Sequence, residues 1–220
     1  MARGRSSGYD DQRELILQRA AELFAQRGYS ATSMNGVAEA CGLSKPALYH
    51  YFRDKYDLLV NIAENHVVRL QTLVSEVAEL GLAPEPRLRE LIRRFVTEYA
   101  QAQHAHRVLV GDIKFLTPED QARILGSERH VTHGFSDTVA QLWPHLEQER
   151  LSKPTTMLLF GMINWMFTWF RPGGEFSYAD MAPIVANLFF GGVPAVRPPQ
   201  ASAHPATPSP PLLDAKRADT

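Results

Sequence analysis

The chain has 220 residues, 45% of them hydrophobic, which is enough for a substantial core in one or two domains. Lys and Arg number 23 against 24 Asp and Glu, a net charge of −1, so the chain will not coat nucleic acid indiscriminately, because non-specific binding is mainly electrostatic. The single cysteine excludes an internal disulfide and suits a reducing cytoplasm.

From the N-terminus, residues 1–10 have no apolar core and are no signal peptide. They read as a flexible basic arm, in which Arg3 and Arg5 either reach a minor groove or phosphates or have no role. A three-helix unit is predicted over 11–56. Its informative stretch runs from Thr32 to Phe52 and holds two short helical patterns around a glycine turn. Thr32 or Ser33 can cap the first helix by accepting from its free N–H groups. Val37, Ala38 and Cys41 give that helix a small buried face. Gly42 supplies the left-handed residue of the turn. Ser44 caps the second helix, and Pro46 sits in its first turn, where a missing N–H costs little. This is the layout of a helix-turn-helix reader of double-stranded DNA. Its second helix, about 45–51, enters the major groove. Leu48 and Tyr51 or Phe52 face the core, and Lys45, Ala47, Tyr49 and His50 face outward. Lys45 donates to phosphate or guanine, and His50 donates or accepts at a base edge.

Residues 1–60 hold eight Lys or Arg and seven Asp or Glu, a net of +1; the remainder carries −2. The positive charge is local, with Lys45, Arg53 and Lys55 at the reader, as suits specific rather than general binding. Beyond it the pattern stays helical. A long helix is predicted from Lys55 to about Leu80, with His66 in its apolar-leaning stripe. Gly81, Pro84 and Pro86 interrupt it. Further helices are predicted over about 87–102, 108–115, 119–142, 154–170 and 178–191. The stretch from Thr155 to Phe170 is apolar nearly all round and must be buried on every side, yet is too short and interrupted for a membrane span. Pairing in a homodimer solves this, through Phe160, Gly161, Ile163, Trp165, Phe167 and Trp169 with Met181, Ile184 and Leu188 of the next helix. Seven of the fifteen prolines fall in residues 194–220, which read as a disordered tail.

The run from Ile16 to Leu59 resembles the DNA-binding domain of the tetracycline-repressor (TetR) family. The matching residues include Ile16-Leu17, Ala20-Ala21, Leu23-Phe24, Gly28-Tyr29, Thr32-Ser33-Met34, Gly42-Leu43-Ser44-Lys45, Leu48 to Phe52, Lys55 and Leu58-Leu59. The resemblance implies an all-α fold of about nine helices: a three-helix helix-turn-helix domain and a helical ligand-binding and dimerisation domain over 57–193. It also implies a bacterial, cytoplasmic homodimer on a palindromic operator, with DNA contacts from Thr32, Ser33, Lys45, Pro46, Ala47, Tyr49, His50, Tyr51 and Lys55. Three positions depart from the family pattern: Gly36, Ala47 and Tyr56.

Gly161-Met162-Ile163-Asn164-Trp165 with Trp169, Arg171-Pro172 and Gly174 is also similar to family members that respond to acyl-coenzyme A thioesters. That likeness implies a fatty-acyl or phenylacetyl thioester effector, with cations for its phosphates. Arg123 and Arg129, beside Arg107 or Lys114, are candidates. Phe95, Tyr99, Phe115, Ile124, Phe135 and Met162 would form the apolar half of the pocket. A promiscuous apolar pocket, as in a regulator of drug efflux, is the competing reading; a DNA binder without a ligand is another. The chain has no nucleophile elbow, phosphate loop or dinucleotide motif, so no enzyme and no cofactor are expected. His130 and His133 with Glu128 or Asp137 are too few donors for an expected metal site.

Overall fold

The computed structural model describes residues 7–171 and 174–198, and every regular element among them is helical. The reader comprises α1 (Ser7–Arg27), α2 (Met34–Ala40) and α3 (Lys45–Tyr49). The long α4 (Lys55–Glu79) leads into α5 (Pro84–Gln101), α6 (Gln103–Asp112), α7 (Pro118–Leu142), α8 (Pro144–Gln148), α9 (Ser152–Asn164), α10 (Met166–Trp169) and α11 (Tyr178–Gly192). The excess over nine helices lies in short pieces such as α8 and α10.

Local chemistry sets the boundaries. Asp54 caps α4 by accepting from Asp57 N at 2.8 Å, and Thr117 caps α7 through Asp120 N at 3.3 Å. Pro84, Pro118 and Pro144 begin α5, α7 and α8, where the absent N–H has no helical partner to lose. Ser177 and Asp180 form a reciprocal capping box that starts α11.

The structure alters three expectations. Residues 7–10 of the expected basic arm belong to α1; Arg3 and Arg5 lie outside the described residues, as does the expected disordered tail from residue 199 on. The single helix expected over 154–170 is broken at Trp165, with α10 set beyond it. No proline or glycine marks that break. The boundary expected at residue 56 falls in the first turn of α4 and does not divide the cores.

The described residues form two apolar cores, and α4 runs through both. The first joins Ile16, Phe24, Val37, Leu48 and Phe52 of the reader to Leu58, Leu59 and Ile62 of α4, and also to Val108 and Leu109 of α6, Leu116, and Ile124 of α7. The second gathers Leu70, Leu73 and Val77 of α4 with residues of α5, α7, α9 and α11. At the crossing of α4 and α7, Gly134 lies so close to Val74 that a Cβ there would meet Cγ1 at 2.5 Å. No helix among the described residues is long and apolar enough to cross a membrane.

Candidate nucleic-acid interface and effector core

Ser33 is the cap of α2, its hydroxyl accepting from Gly36 N at 3.2 Å. Thr32 is buried instead; its hydroxyl donates to Gly28 O at 2.9 Å and closes the turn after α1. That removes Thr32 from the expected outward contacts. Gly42, at φ +64°, turns the chain, while Leu43 N bonds Ala38 O at 2.9 Å and Gly42 N bonds Glu39 O at 3.1 Å. These two bonds satisfy the last carbonyls of α2. Ser44 then caps α3 through Ala47 N at 3.3 Å, with Pro46 in the first turn.

This geometry presents Lys45, Pro46, Tyr49 and His50 to solvent, with Ala47 half-buried between them. Leu48 and Phe52 are the inward anchors. Tyr51 is not free: its ring stacks on Tyr9 of α1 with centroids 4.8 Å apart. Lys55 is also committed, donating to Tyr29 O at 2.8 Å and Ser30 O at 3.2 Å with its ammonium 4.4 Å from the Tyr29 ring centre. An ammonium so held orders the turn after α1, which corrects the picture of Lys55 as a free backbone contact. Cys41 is half-buried, and burial raises its thiol pKa, the opposite of what a reactive thiolate needs.

Sequence reasoning noted Tyr56 only as a departure and missed what it does. Its hydroxyl receives Thr117 N at 3.0 Å and bonds the Asp120 carboxylate at the start of α7. Tyr29 also packs on Phe115, centroids 5.0 Å apart. The reader is thus fastened to the segment between α6 and α7 at two points. Neither link has a local sequence signal, because the partners are 61 or more residues apart.

The expected effector residues are dispersed. Phe95 and Phe135 meet edge to face at 4.8 Å, with Phe160 against both, and fill the second core. Met162 packs at the edge of that core. Phe115 is exposed against Tyr29. Arg123 is ion-paired with Glu64 of α4 and Asp120, so its charge is already neutralised. Arg129 is exposed. None of them lines the cleft of about 860 Å³ between α1, α4, α5 and α6, whose rim mixes Glu14, Arg19, Arg69, Glu98 and His104.

At the floor of that cleft lies a buried histidine pair. His66 lines the cleft, and its Nε2 sits 3.3 Å from Nδ1 of His106. Burial lowers His66 to about 3, with His106 adding to the shift. Burial likewise lowers His106 to about 4, opposed by the Asn164 main chain. Both rings are therefore neutral near pH 7. Tyr99 stacks on His106 with centroids 3.9 Å apart, and burial pushes its hydroxyl pKa upward.

The residues expected at a pairing face divide between solvent and core. Trp165 (62%), Trp169 (56%), Ile184 (44%) and Leu188 (66%) stand in solvent, as does Leu158 (69%), one turn before Gly161. They are exposed apolar side chains of α9, α10, α11 and the break between α9 and α10. Met181 and Phe167 are half-buried, while Phe160 and Ile163 point into the second core, since they lie on the opposite side of α9. No group of three or more His, Cys, Asp or Glu among the described residues is placed to hold a metal; His133 pairs with Asp137 at 2.8 Å.

Comparison with known proteins places both halves. Residues 16–62 match the model for bacterial regulatory proteins of the tetR family, and residues 81–193 the model for a tetracyclin repressor-like C-terminal domain. A TetR-family transcriptional regulator from Bordetella parapertussis 12822 superposes with a TM-score of 0.78 at 32% identity, covering 84% of this chain and 97% of that one. The transcriptional activator FasR of Mycolicibacterium smegmatis is 26% identical over 139 residues, 63% of this chain and 64% of FasR. AibR, solved in complex with isovaleryl coenzyme A and operator DNA, shares the fold at a TM-score of 0.69 and 24% identity, over 80% of this chain and 97% of AibR.

Proposed function

The chain belongs to the tetR family of bacterial regulatory proteins, and on that premise we propose that it is a cytoplasmic, ligand-released repressor that binds a palindromic operator as a homodimer. The observation that carries this reading is α3, doubly capped and turned by Gly42, holding Lys45, Tyr49 and His50 outward on a rigid core. Lys45 and Tyr49 position the helix on phosphates, and His50 reads a base edge. Two such helices enter successive major grooves about 34–36 Å apart. The exposed apolar face with Leu158, Trp165, Ile184 and Leu188 supports pairing with a second copy, since a patch of this kind is seldom left to water.

The effector enters the helical C-terminal core. A coenzyme A thioester with a fatty-acyl or phenylacetyl group is the proposed class. The fold shared with AibR and the similar residues around Gly161 to Trp169 support it. With Arg123 paired, exposed Arg107, Lys114 and Arg129 are the cations left for its phosphates. Release follows from linkage: a ligand that binds better to a form with the wrong reader spacing lowers operator affinity by its differential affinity. The path is short, because α4 carries Lys55 at the reader and His66 at the cleft, and Tyr56 ties the same helix to α7.

The test is fluorescence anisotropy of labelled DNA from upstream of the chain's own gene, titrated with the full-length protein, then with acyl-coenzyme A thioesters, their free acids and coenzyme A. Saturable binding reversed by a thioester and not by its acid supports the reading. Binding that no thioester reverses removes the thioester and leaves the operator reading standing.

A further inference from the structure

Six buried side-chain polar atoms among the described residues have no hydrogen-bond partner of normal geometry, and two of them, His106 Nε2 and Asn164 Oδ1, lie at one place in the C-terminal domain, where the Asn164 main chain also acts on the His106 ring. His106 is 2% exposed. Both residues line one small void, walled also by Val96, Tyr99, Ile163, Met166, Phe167 and Tyr178. The void has no room for a water molecule, so solvent does not satisfy them there. An unmet buried polar atom costs about 1–3 kcal/mol, and two facing one void are a standing cost to the ligand-free fold.

The chemistry of the pair is restrictive. His106 Nδ1 is engaged with His66, and the proton between them can sit on either ring. His106 Nε2 is therefore a donor or an acceptor according to the tautomer, while Asn164 Oδ1 only accepts. A carboxylate or a phosphate oxygen cannot donate to Asn164. No Lys or Arg lines the void to receive a negative charge, and burial keeps His106 neutral. A carbonyl or ether also leaves Asn164 unmet. A hydroxyl donates to Asn164 Oδ1 and accepts from His106 Nε2–H, in the tautomer in which His66 Nε2–H donates to His106 Nδ1.

We propose that the void opens, by displacement of its α10 wall, to take an uncharged hydroxyl at the buried end of the effector, held between His106 Nε2 and Asn164 Oδ1. This goes beyond the thioester class and rests on the reading that the C-terminal core takes an effector. Val96, Ile163, Met166 and Phe167, with the rings of Tyr99 and Tyr178, receive the carbon body that bears the hydroxyl, and the Tyr178 hydroxyl already accepts from Gln103. The yielding wall is α10, a four-residue helix that follows the break at Trp165. It contributes Met166 and Phe167 to the void and Trp169 to the exposed apolar face, so its displacement reaches both the ligand and that face.

The experiment is calorimetric titration of the full-length protein with 4-alkylphenols from ethyl to octyl, each compared with the matching alkylbenzene and 4-alkylbenzoate. At least one phenol is expected to bind about tenfold tighter than its alkylbenzene, the effect of one or two neutral hydrogen bonds, with its benzoate weaker still. In Asn164→Leu and in His106→Phe, which keeps a ring against Tyr99, the preference collapses to about twofold or less while alkylbenzene affinity holds. Asn164→Leu is also expected to melt no lower than the parent, because it removes an unmet acceptor. The proposal is overturned if no phenol binds, if phenol and alkylbenzene bind alike, or if both variants keep the preference. The same protein is assayed for operator binding: operator bound with no phenol preference removes only this site, whereas failure to bind any upstream DNA removes the regulator reading.

Discussion

Acidification should destabilise this protein through His66 and His106, and the size of the effect follows from their burial. Both imidazoles titrate near 6.5 in the unfolded chain, but at about 3 and about 4 in the fold. Between those limits the unfolded chain holds more protons, so stability falls as pH falls. The contribution is fully present above 6.5 and is lost as pH drops from 6.5 through the folded values. Each group loses about 1.4 kcal/mol per pH unit once well below 6.5. From about pH 7 to about pH 5 that is roughly 2 kcal/mol per imidazole and roughly 3–4 for the pair. A domain with a net stability of about 5–15 kcal/mol loses a large fraction of it. Urea unfolding followed by far-UV circular dichroism at fixed protein concentration measures this, and His106→Phe should remove about half of the loss. Identical pH dependence in parent and variant would refute the argument, because carboxylates such as Glu90, held at about 2 by Arg93, are common to both.

Four further outcomes follow from single contacts. Lys45→Ala should weaken operator binding on all sequences alike and reduce the slope of log affinity against log salt by about 1, read by anisotropy at several salt concentrations. Leu188→Glu places a charge on the exposed apolar face; it should yield monomers by sedimentation and abolish operator binding with the helical spectrum unchanged. Tyr56→Phe breaks the tie to Thr117 and Asp120. It should reduce effector-driven release about tenfold while ligand-free operator affinity changes by about twofold or less, the loss expected of a hydroxyl that accepts from one N–H and donates to a carboxylate. Gly134→Ala forces a methyl against Val74 and should cost about 1–3 kcal/mol in urea unfolding, the usual effect of overpacking.

The reader was the most legible part of the chain because its signals are local. Ser33, Gly42, Ser44 and Pro46 each act within three or four residues of themselves, and each sits where its chemistry demands. Side chains that act over long range were not legible. Thr32 and Lys55 look like outward polar groups in sequence, yet both are drawn to carbonyls of the turn after α1. Arg123 reads as a cation free for a ligand's phosphates until α4 brings Glu64 beside it. Phe95 and Phe135 were expected at an apolar pocket and fill a packed core, because sequence does not distinguish a core position from a pocket wall. The break at Trp165 had no turn residue to announce it, and the pairing of His66 with His106 joins helices 40 residues apart.

The shared first core limits how this protein can be re-engineered. Val108, Leu109, Leu116 and Ile124 complete the apolar interior beneath the reader, although they lie far beyond it in the chain. A transplant cut after residue 56 would strand that interior against water and leave the recipient's own α6 facing a foreign surface. Operator specificity is therefore portable only by replacing the exposed faces of α2 and α3, or by moving α1 to α4 together with α6 and the first turns of α7. In this sense the DNA reader is contiguous in sequence but not modular in its physics.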